Sequence, residues 1–245
     1  MKSSIFCFIL FILFSFSAFA QFNFLPDTVD NHQILTYTQF TLSYNEEHEQ
    51  AEWVAYELTK EEVLMNVTRC DCFATDHDVT TVSAVRSDYL NTGFERGHLS
   101  PSEDNQMSDD VNEESFLFSN MSPQLKSLNN GIWKKLEKWV RDQALEFDTV
   151  YVVTGPVFIN NLGSIGPNNV TIPGYFYKTL LRFNDAGKAK AIAFLIPHVG
   201  AVGELKDYVA SVNTIETLTG LEFYPALDDN ENLIESKQAT TQWGL

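Results

Sequence analysis

The sequence predicts an α+β fold with a central antiparallel sheet flanked by helices. Partial alternation of apolar and polar residues, or short apolar runs, indicate strands in five segments, at 34–44, 51–58, 150–158, 175–183 and 189–196. Apolar residues recur at helical spacing in two others, at 132–145 and around 203–218. Because the strands do not alternate regularly with helices, antiparallel pairing is favoured over a parallel sheet.

The first 20 residues have the pattern of a secretory signal peptide. Lys2 is followed by an apolar run from Ile5 to about Phe16 and by an A-F-A cleavage site that ends at Ala20. The run is short for a membrane span of roughly 20 residues, so we interpret it as a cleaved signal and not as an anchor. We therefore expect a signal peptide at 1–20, one domain at 21–245, a secreted or periplasmic location, and no stable membrane association after cleavage.

The charge of the chain is strongly acidic. Its 245 residues include 16 basic and 33 acidic side chains, which gives a formal net charge of −17. Such a surface repels a polyanion at long range, so binding of nucleic acid would need a locally basic cleft. The sequence offers one, because basic residues flank His98 and recur along the segment 126–141.

Two cysteines remain once Cys7 leaves with the signal peptide. An exported context permits a disulfide between Cys70 and Cys72, although a C-x-C bridge closes a tight ring. With His77 the pair offers three candidate zinc ligands, which is a weak signal. We interpret the two residues as ordinary thiols, with the disulfide as the alternative.

Four residues have the chemistry of a hydrolytic site. His98 follows Gly97 in a polar segment, where a neutral imidazole can accept a proton from water near pH 7. Asn129 stands near the start of the predicted helix, and its amide oxygen suits a divalent cation that keeps most of its waters. Glu137 and Arg141 lie one helical turn apart and can pair. We interpret the other four histidines as surface residues, namely His32, His48, His77 and His198.

Three motifs carry a family resemblance. ERGHLSP at 95–101, SNMSPQ at 119–124 and LNNGIWKKLE at 128–137 resemble the D-R-G-H, S-N-x-x-P-Q and L-N-Q-x-x-W-x-x-L-E blocks of the DNA/RNA non-specific endonucleases. Blocks further downstream follow in the family's order, so the resemblance covers nearly all of the chain after the signal peptide. It implies the ββα-metal (His-Me finger) active-site motif of that family.

The resemblance also implies a role for each matching residue. His98 would be the general base, Asn129 the ligand of Mg²⁺ (or of Mn²⁺ or another divalent cation), and Glu137 the holder of a metal-bound water. Arg96 would lie beside the site. Arg69 and Arg141 would contact phosphate, with Arg86 as the alternative to Arg69. Glu95, Asn120 and Gln124 would brace the site. The chain departs from the family pattern at Glu95, where Asp is usual, and at Asn130, where Gln is usual.

The function expected from these residues is Mg²⁺-dependent endonucleolytic hydrolysis of phosphodiester bonds in DNA and RNA. Two alternatives remain open. One is a non-catalytic secreted nucleic-acid-binding protein on the same fold, which the acidic surface and Glu95 make conceivable. The other is a related phosphodiesterase that acts on small nucleotides. A homodimer is also left open.

Overall fold

The structure is a computed structural model that describes residues 23–27, 31–200, 202–227 and 239–245. The predicted signal peptide and the expected first residue of the mature chain, Gln21, lie outside these ranges. Within them, no helix combines the length and the apolar character needed to cross a bilayer.

A seven-stranded antiparallel sheet forms the centre of the molecule, in the order β1-β2-β3-β6-β9-β10-β11. Two small antiparallel sheets, β4-β5 and β7-β8, lie outside it. The strands are β1 Gln33–Thr36, β2 Phe40–Asn45, β3 Gln50–Thr59, β4 Phe94–His98, β5 Met121–Leu125, β6 Thr149–Val157, β7 Ser164–Ile165, β8 Val170–Thr171, β9 Tyr175–Phe183, β10 Ala189–Pro197 and β11 Val209–Ala210. The predicted α+β class with a central antiparallel sheet is confirmed.

The helices are mostly short, and one of them is long enough to organise a face of the sheet. They are α1 Lys60–Val63, α2 Arg86–Tyr89, α3 Asp109–Glu114, α4 Lys126–Leu128, α5 Lys134–Phe147, α6 Val212–Thr219 and α7 Ala239–Gln242. Between α4 and α5 the chain makes a wide π turn at Asn129–Trp133.

Two predicted elements are wrong in their extent. The segment 34–44 is not one strand but the hairpin β1-β2, because Tyr37 N–H donates to Phe40 O and turns the chain back on itself. The helix predicted around 203–218 begins only at Val212, where the Ser211 side chain caps the N-terminus by accepting a hydrogen bond from Thr214 N–H. The residues before it form a 3₁₀ turn and β11, which pairs with β10.

The sheet has a buried cluster on each face. On one face Leu136 and Val140 of α5 pack with Trp133 of the preceding π turn, and the Trp133 ring lies 5.6 Å from the ring of Phe176 in β9. On the other face Ile215 of α6 packs in a cluster with Tyr177. Burial of the apolar stripe of α5 against the sheet therefore fixes which side of this helix is left to face the site.

Candidate active site

A hairpin and a helix bring the predicted site residues together. Strands β4 and β5 pair antiparallel with His98 opposite Met121, and β5 leads directly into α4, the π turn and α5. A cavity of about 330 Å³ lies where these elements meet. Its lining includes most of the predicted site residues and one lysine from the start of α5: Arg69, Arg96, His98, Asn129, Glu137 and Lys134.

His98 is held as a neutral imidazole. The residue is 8% exposed, and its Nε2 atom has no hydrogen-bond partner among the described residues. The ring of Phe116 meets it edge-on at 4.8 Å. Burial, together with the nearby charges of Arg69 and Arg96, lowers the pKa of His98 to about 3. The imidazole is therefore neutral at neutral pH, and one of its two ring nitrogens can accept a proton.

Asn120 and Gln124 brace the strand end that carries His98. The Asn120 side chain accepts from Ser100 N–H at 2.9 Å and donates to Ser100 O at 2.9 Å and Ser115 O at 2.8 Å. Gln124 acts by packing. A Cβ atom on Gly97 would lie only 2.3 Å from the Gln124 side chain, so the glycine beside His98 is required for this close contact.

Asn129 is oriented by Glu95. The Asn129 Nδ2 atom donates to Glu95 Oε2 at 2.9 Å, and a carboxylate can only accept. The amide oxygen of Asn129 therefore stays available as a ligand, and it accepts no hydrogen bond from the described part of the chain. Asn129 begins the irregular turn between α4 and α5, in which Gly131 leaves the helical region with φ −105° and ψ −116°.

The donor set around Asn129 fits a hard cation that keeps its waters. No group of three or more His, Cys, Asp or Glu side chains among the described residues is placed to hold a metal ion. A cation at this position would therefore have one amide oxygen from the protein and water for most other ligands. That is the coordination Mg²⁺ favours.

Glu137 lies beside a buried lysine that the sequence analysis missed. Lys178 of β9 is fully buried, its Nζ atom has no hydrogen-bond partner within the described ranges, and it lies 5.2 Å from the Trp133 ring. Burial raises the pKa of Glu137, and the charge of Lys178 opposes that rise. Burial likewise lowers the pKa of Lys178, opposed by Glu137 and Asp104. The sequence signal that indicates Lys178 is its position inside the apolar strand segment YFYKTLL.

Arg141 does not pair with Glu137, so that prediction is wrong. Its Nη1 atom lies 2.9 Å from Asp104 Oδ1 and its Nη2 atom 3.1 Å from Glu103 Oε2. Asp104 is fully buried and also accepts from the hydroxyl of Tyr56 at 2.8 Å. Arg141 thus pairs with two carboxylates of the segment 102–104. It is not part of the cavity lining, although its partner Glu103 is.

The two arginines of the cavity lie over aromatic rings. The guanidinium of Arg96 is 3.9 Å from the ring centre of Phe73, and that of Arg69 is 4.7 Å from the ring centre of Phe116. Arg69 Nε also donates to Asp71 Oδ1 at 2.7 Å. These contacts fix planar cations beside His98 while leaving their other N–H groups for a phosphate.

The interpretation of the two cysteines as thiols is wrong. Cys70 and Cys72 form a disulfide, with their Cα atoms 5.1 Å apart. The tight ring is accommodated because Asp71, between them, adopts a left-handed backbone conformation with φ 50°. The bridge holds the segment that carries Arg69 and Asp71.

Of the four histidines predicted at the surface, His77 is exposed and His198 is fully buried. His198 Nδ1 lies 2.7 Å from Pro173 O, and its Nε2 atom accepts from Leu125 N–H at 2.9 Å. His198 therefore anchors the end of β5 just before the site helix. The remaining two are partly buried: His32 Nδ1 lies 2.7 Å from Glu52 Oε1, and the His48 ring stacks on Phe158 at 3.6 Å.

The sequence model of the DNA/RNA non-specific endonucleases matches residues 21–230. The chain belongs to the DNA/RNA non-specific endonuclease family. It is 34% identical to the mitochondrial nuclease EXOG of Danio rerio over 211 residues, which cover 80% of this chain and 62% of that protein. It is 31% identical to a nuclease of Nostoc sp. over 222 residues, which cover 86% and 80% of the two chains.

Solved structures agree with this assignment. The chain resembles a structure of the EndoG/EndoGI complex that describes EndoG inhibition, with a TM-score of 0.75 and 26% identity over 80% of this chain and 86% of that one. The predicted family and fold are both confirmed. The chain spans about three fifths of the length of the EXOG relatives, 58% for the Mus musculus protein and 62% for that of Danio rerio.

The two departures of this endonuclease-family chain from the family pattern contact each other. Asn130 Nδ2 donates to Glu95 Oε2 at 2.7 Å, and Asn129 donates to the same oxygen. Glu95 is longer than the usual Asp, and Asn130 is shorter than the usual Gln. The two residues thus join Asn129 in one hydrogen-bond network. Glu95 thereby holds both amides of the turn, at positions 129 and 130.

Proposed function

We propose that this chain is an exported, Mg²⁺-dependent nuclease that hydrolyses phosphodiester bonds in both DNA and RNA. The observation that carries the proposal is the shared cavity, which a neutral imidazole, an oriented amide and two arginines line together. Family membership supports nuclease chemistry at this position.

The residues divide the reaction between them. His98 takes a proton from water, the water oxygen bonds to phosphorus, and the bond from phosphorus to the 3′ oxygen breaks, after which the released oxygen takes up a proton from solvent. Arg69, Arg96 and Lys134 neutralise the charge of the phosphate oxygens. Asn129 would hold Mg²⁺, which supplies charge neutralisation at the phosphate and the leaving oxygen. Because the nucleophile is water and not a 2′-hydroxyl, ribose and deoxyribose strands are both substrates.

The first test is cleavage of nucleic acid by the purified chain from residue 21 onward. Supercoiled plasmid and single-stranded RNA should both be cut with Mg²⁺ and left intact with a chelator. Asn129→Ala should raise the Mg²⁺ concentration needed for half-maximal rate about tenfold or more, since it removes the one protein ligand proposed. Asn66→Ala, a surface change, serves as the control.

Other outcomes separate the two alternatives. Retention on DNA without any cleavage in Mg²⁺ or Mn²⁺ would favour the binding protein. Hydrolysis of small nucleotide diesters with intact plasmid and RNA would favour the small-nucleotide phosphodiesterase. A Mg²⁺ requirement unchanged in Asn129→Ala would move the metal site elsewhere.

The base is tested by chemical rescue. His98→Gly should lower the rate roughly 10²- to 10⁴-fold, the usual contribution of a general base. Added imidazole should restore part of the rate in proportion to its neutral form, so that rescue rises through pH 7. A folded variant that shows no rescue at any pH would leave His98 with a structural role only, and full activity would contradict the mechanism.

A further inference from the structure

A second cavity adjoins the one that holds His98. It has a volume of about 370 Å³ and shares Arg69, Arg96 and Asn129 with the first. Arg86 at the start of α2 lines only the second cavity. The two spaces therefore form one groove, and the proposed metal ligand stands between them.

Arg86 is a free cation in this second cavity. Its side chain is exposed, and it makes no ion pair or hydrogen bond with the described residues. The carboxylates of the same lining, Asp71 and Glu95, are already occupied by Arg69 and by the two asparagine amides. An unpaired arginine next to carboxylates that have other partners is available for an anion.

Apolar and aromatic side chains form one part of the lining of the second cavity. Tyr89 belongs to this part and is only 6% exposed. Beside it, Leu90 is 57% exposed and Phe94 is partly buried, so the same wall offers apolar surface to a flat ring.

We propose that the second cavity binds the nucleotide next to the cleaved bond, with its phosphate on Arg86 and its base against Leu90 and Phe94. This inference rests on the proposed function and names its substrate class as a polynucleotide strand longer than a dinucleotide. It also gives Arg69 and Arg86 separate roles: Arg69 contacts the phosphate that reacts, and Arg86 contacts the neighbouring phosphate.

The test compares substrates of two lengths. The wild-type chain, Arg86→Gln and Lys188→Gln are assayed on an oligonucleotide of about eight residues and on a dinucleoside monophosphate, which has one phosphodiester bond. Arg86→Gln should raise KM for the oligonucleotide about tenfold at low salt and reduce the preference for it over the dinucleotide by the same factor. Lys188 is exposed on the turn between β9 and β10, so its variant removes one charge outside the groove and should match wild type.

Salt dependence provides a second readout of the same contact. Loss of one phosphate contact should make the plot of log affinity against log salt shallower by about 0.7 to 0.9 for Arg86→Gln alone. Equal KM values and salt slopes in all three proteins, with wild type active on plasmid, would overturn the second subsite and leave the nuclease proposal intact. A wild-type chain that cuts neither plasmid nor RNA would instead overturn the proposed function.

Discussion

At His98, burial and charge act in the same direction. The ring is enclosed by Phe116, and Arg69 and Arg96 lie close enough to lower its pKa further below the ordinary value of 6.5. A general base with so low a pKa is weak, but it is always in the form that can accept a proton. A bound phosphate would offset the two arginines and raise the basicity of the ring when substrate is present.

The low pKa of His98 predicts a pH dependence of stability. Between pH 6.5 and about 3 the unfolded chain binds a proton at this position and the folded chain does not. The contribution of His98 to the free energy of unfolding is therefore fully present above pH 6.5. It falls as the pH decreases, by up to about 1.4 kcal/mol per pH unit. His98→Gln should lose less stability than wild type over pH 6.5 to 4 in denaturant titrations.

Carboxylates titrate in both proteins over the same range, so the difference between them isolates the histidine. Parallel stability curves for wild type and His98→Gln would show that the imidazole is protonated in the folded chain. In that case His98 would not be the buried, neutral base of the proposed mechanism.

At the scale of elements, helix α5 and strand β9 meet through opposite charges. Glu137 faces the sheet from the helix, and Lys178 lies fully buried in the strand below it. Each charge is costly to bury alone, and each reduces the cost of the other. Glu137 also lines the cavity, so the packing of helix on sheet and the electrostatics of the site depend on the same two side chains.

Removal of one partner should therefore cost more than removal of both. Lys178→Met should lower the free energy of unfolding by about 3 kcal/mol, because it leaves Glu137 buried without its cation. Adding Glu137→Gln should recover a large part of that loss. Lys188→Met, on the surface, should change stability by less than about 0.5 kcal/mol. Additive losses in the double variant would show that the two residues do not interact.

The sequence predicted elements and motif residues well where the information is local. Strand β9 has the predicted bounds, and the motif residues His98, Asn129 and Glu137 line one cavity. Contacts between distant positions were missed. Arg141 pairs with Asp104, 37 positions away, and Lys178 meets Glu137 across two elements, so helical spacing alone indicates neither. The hairpin turn near Tyr37 contains no glycine or proline, which is why one strand was predicted there.

At the scale of the whole molecule, charge is distributed unevenly. The chain has a formal net charge of −17, whereas the second cavity presents three arginines to two carboxylates and the first presents two arginines and a lysine to two glutamates. A strand of nucleic acid is attracted only close to the groove. Away from it the surface repels polyanions, which limits non-productive binding elsewhere on the protein.

Export is a prediction for the whole chain. The pattern of residues 1–20 predicts cleavage after Ala20, so N-terminal sequencing of protein recovered outside the cytoplasm should begin at Gln21. The EXOG relatives are named as mitochondrial, which makes fractionation of the source cells the necessary companion experiment. Intact Met1 in a membrane fraction would contradict export.

The bridge between Cys70 and Cys72 makes the oxidation state of this pair an indicator of the compartment that contains the protein. Glutathione keeps neighbouring thiols reduced in the cytosol, whereas they oxidise in the periplasm and outside the cell. If living cells were treated with an alkylating reagent before lysis, molecules still in the reducing compartment would carry two labels in the stretch beside Arg69. Molecules that had crossed the membrane would carry no label on these two cysteines. The mass of one peptide would therefore distinguish exported molecules from those still in the cytosol.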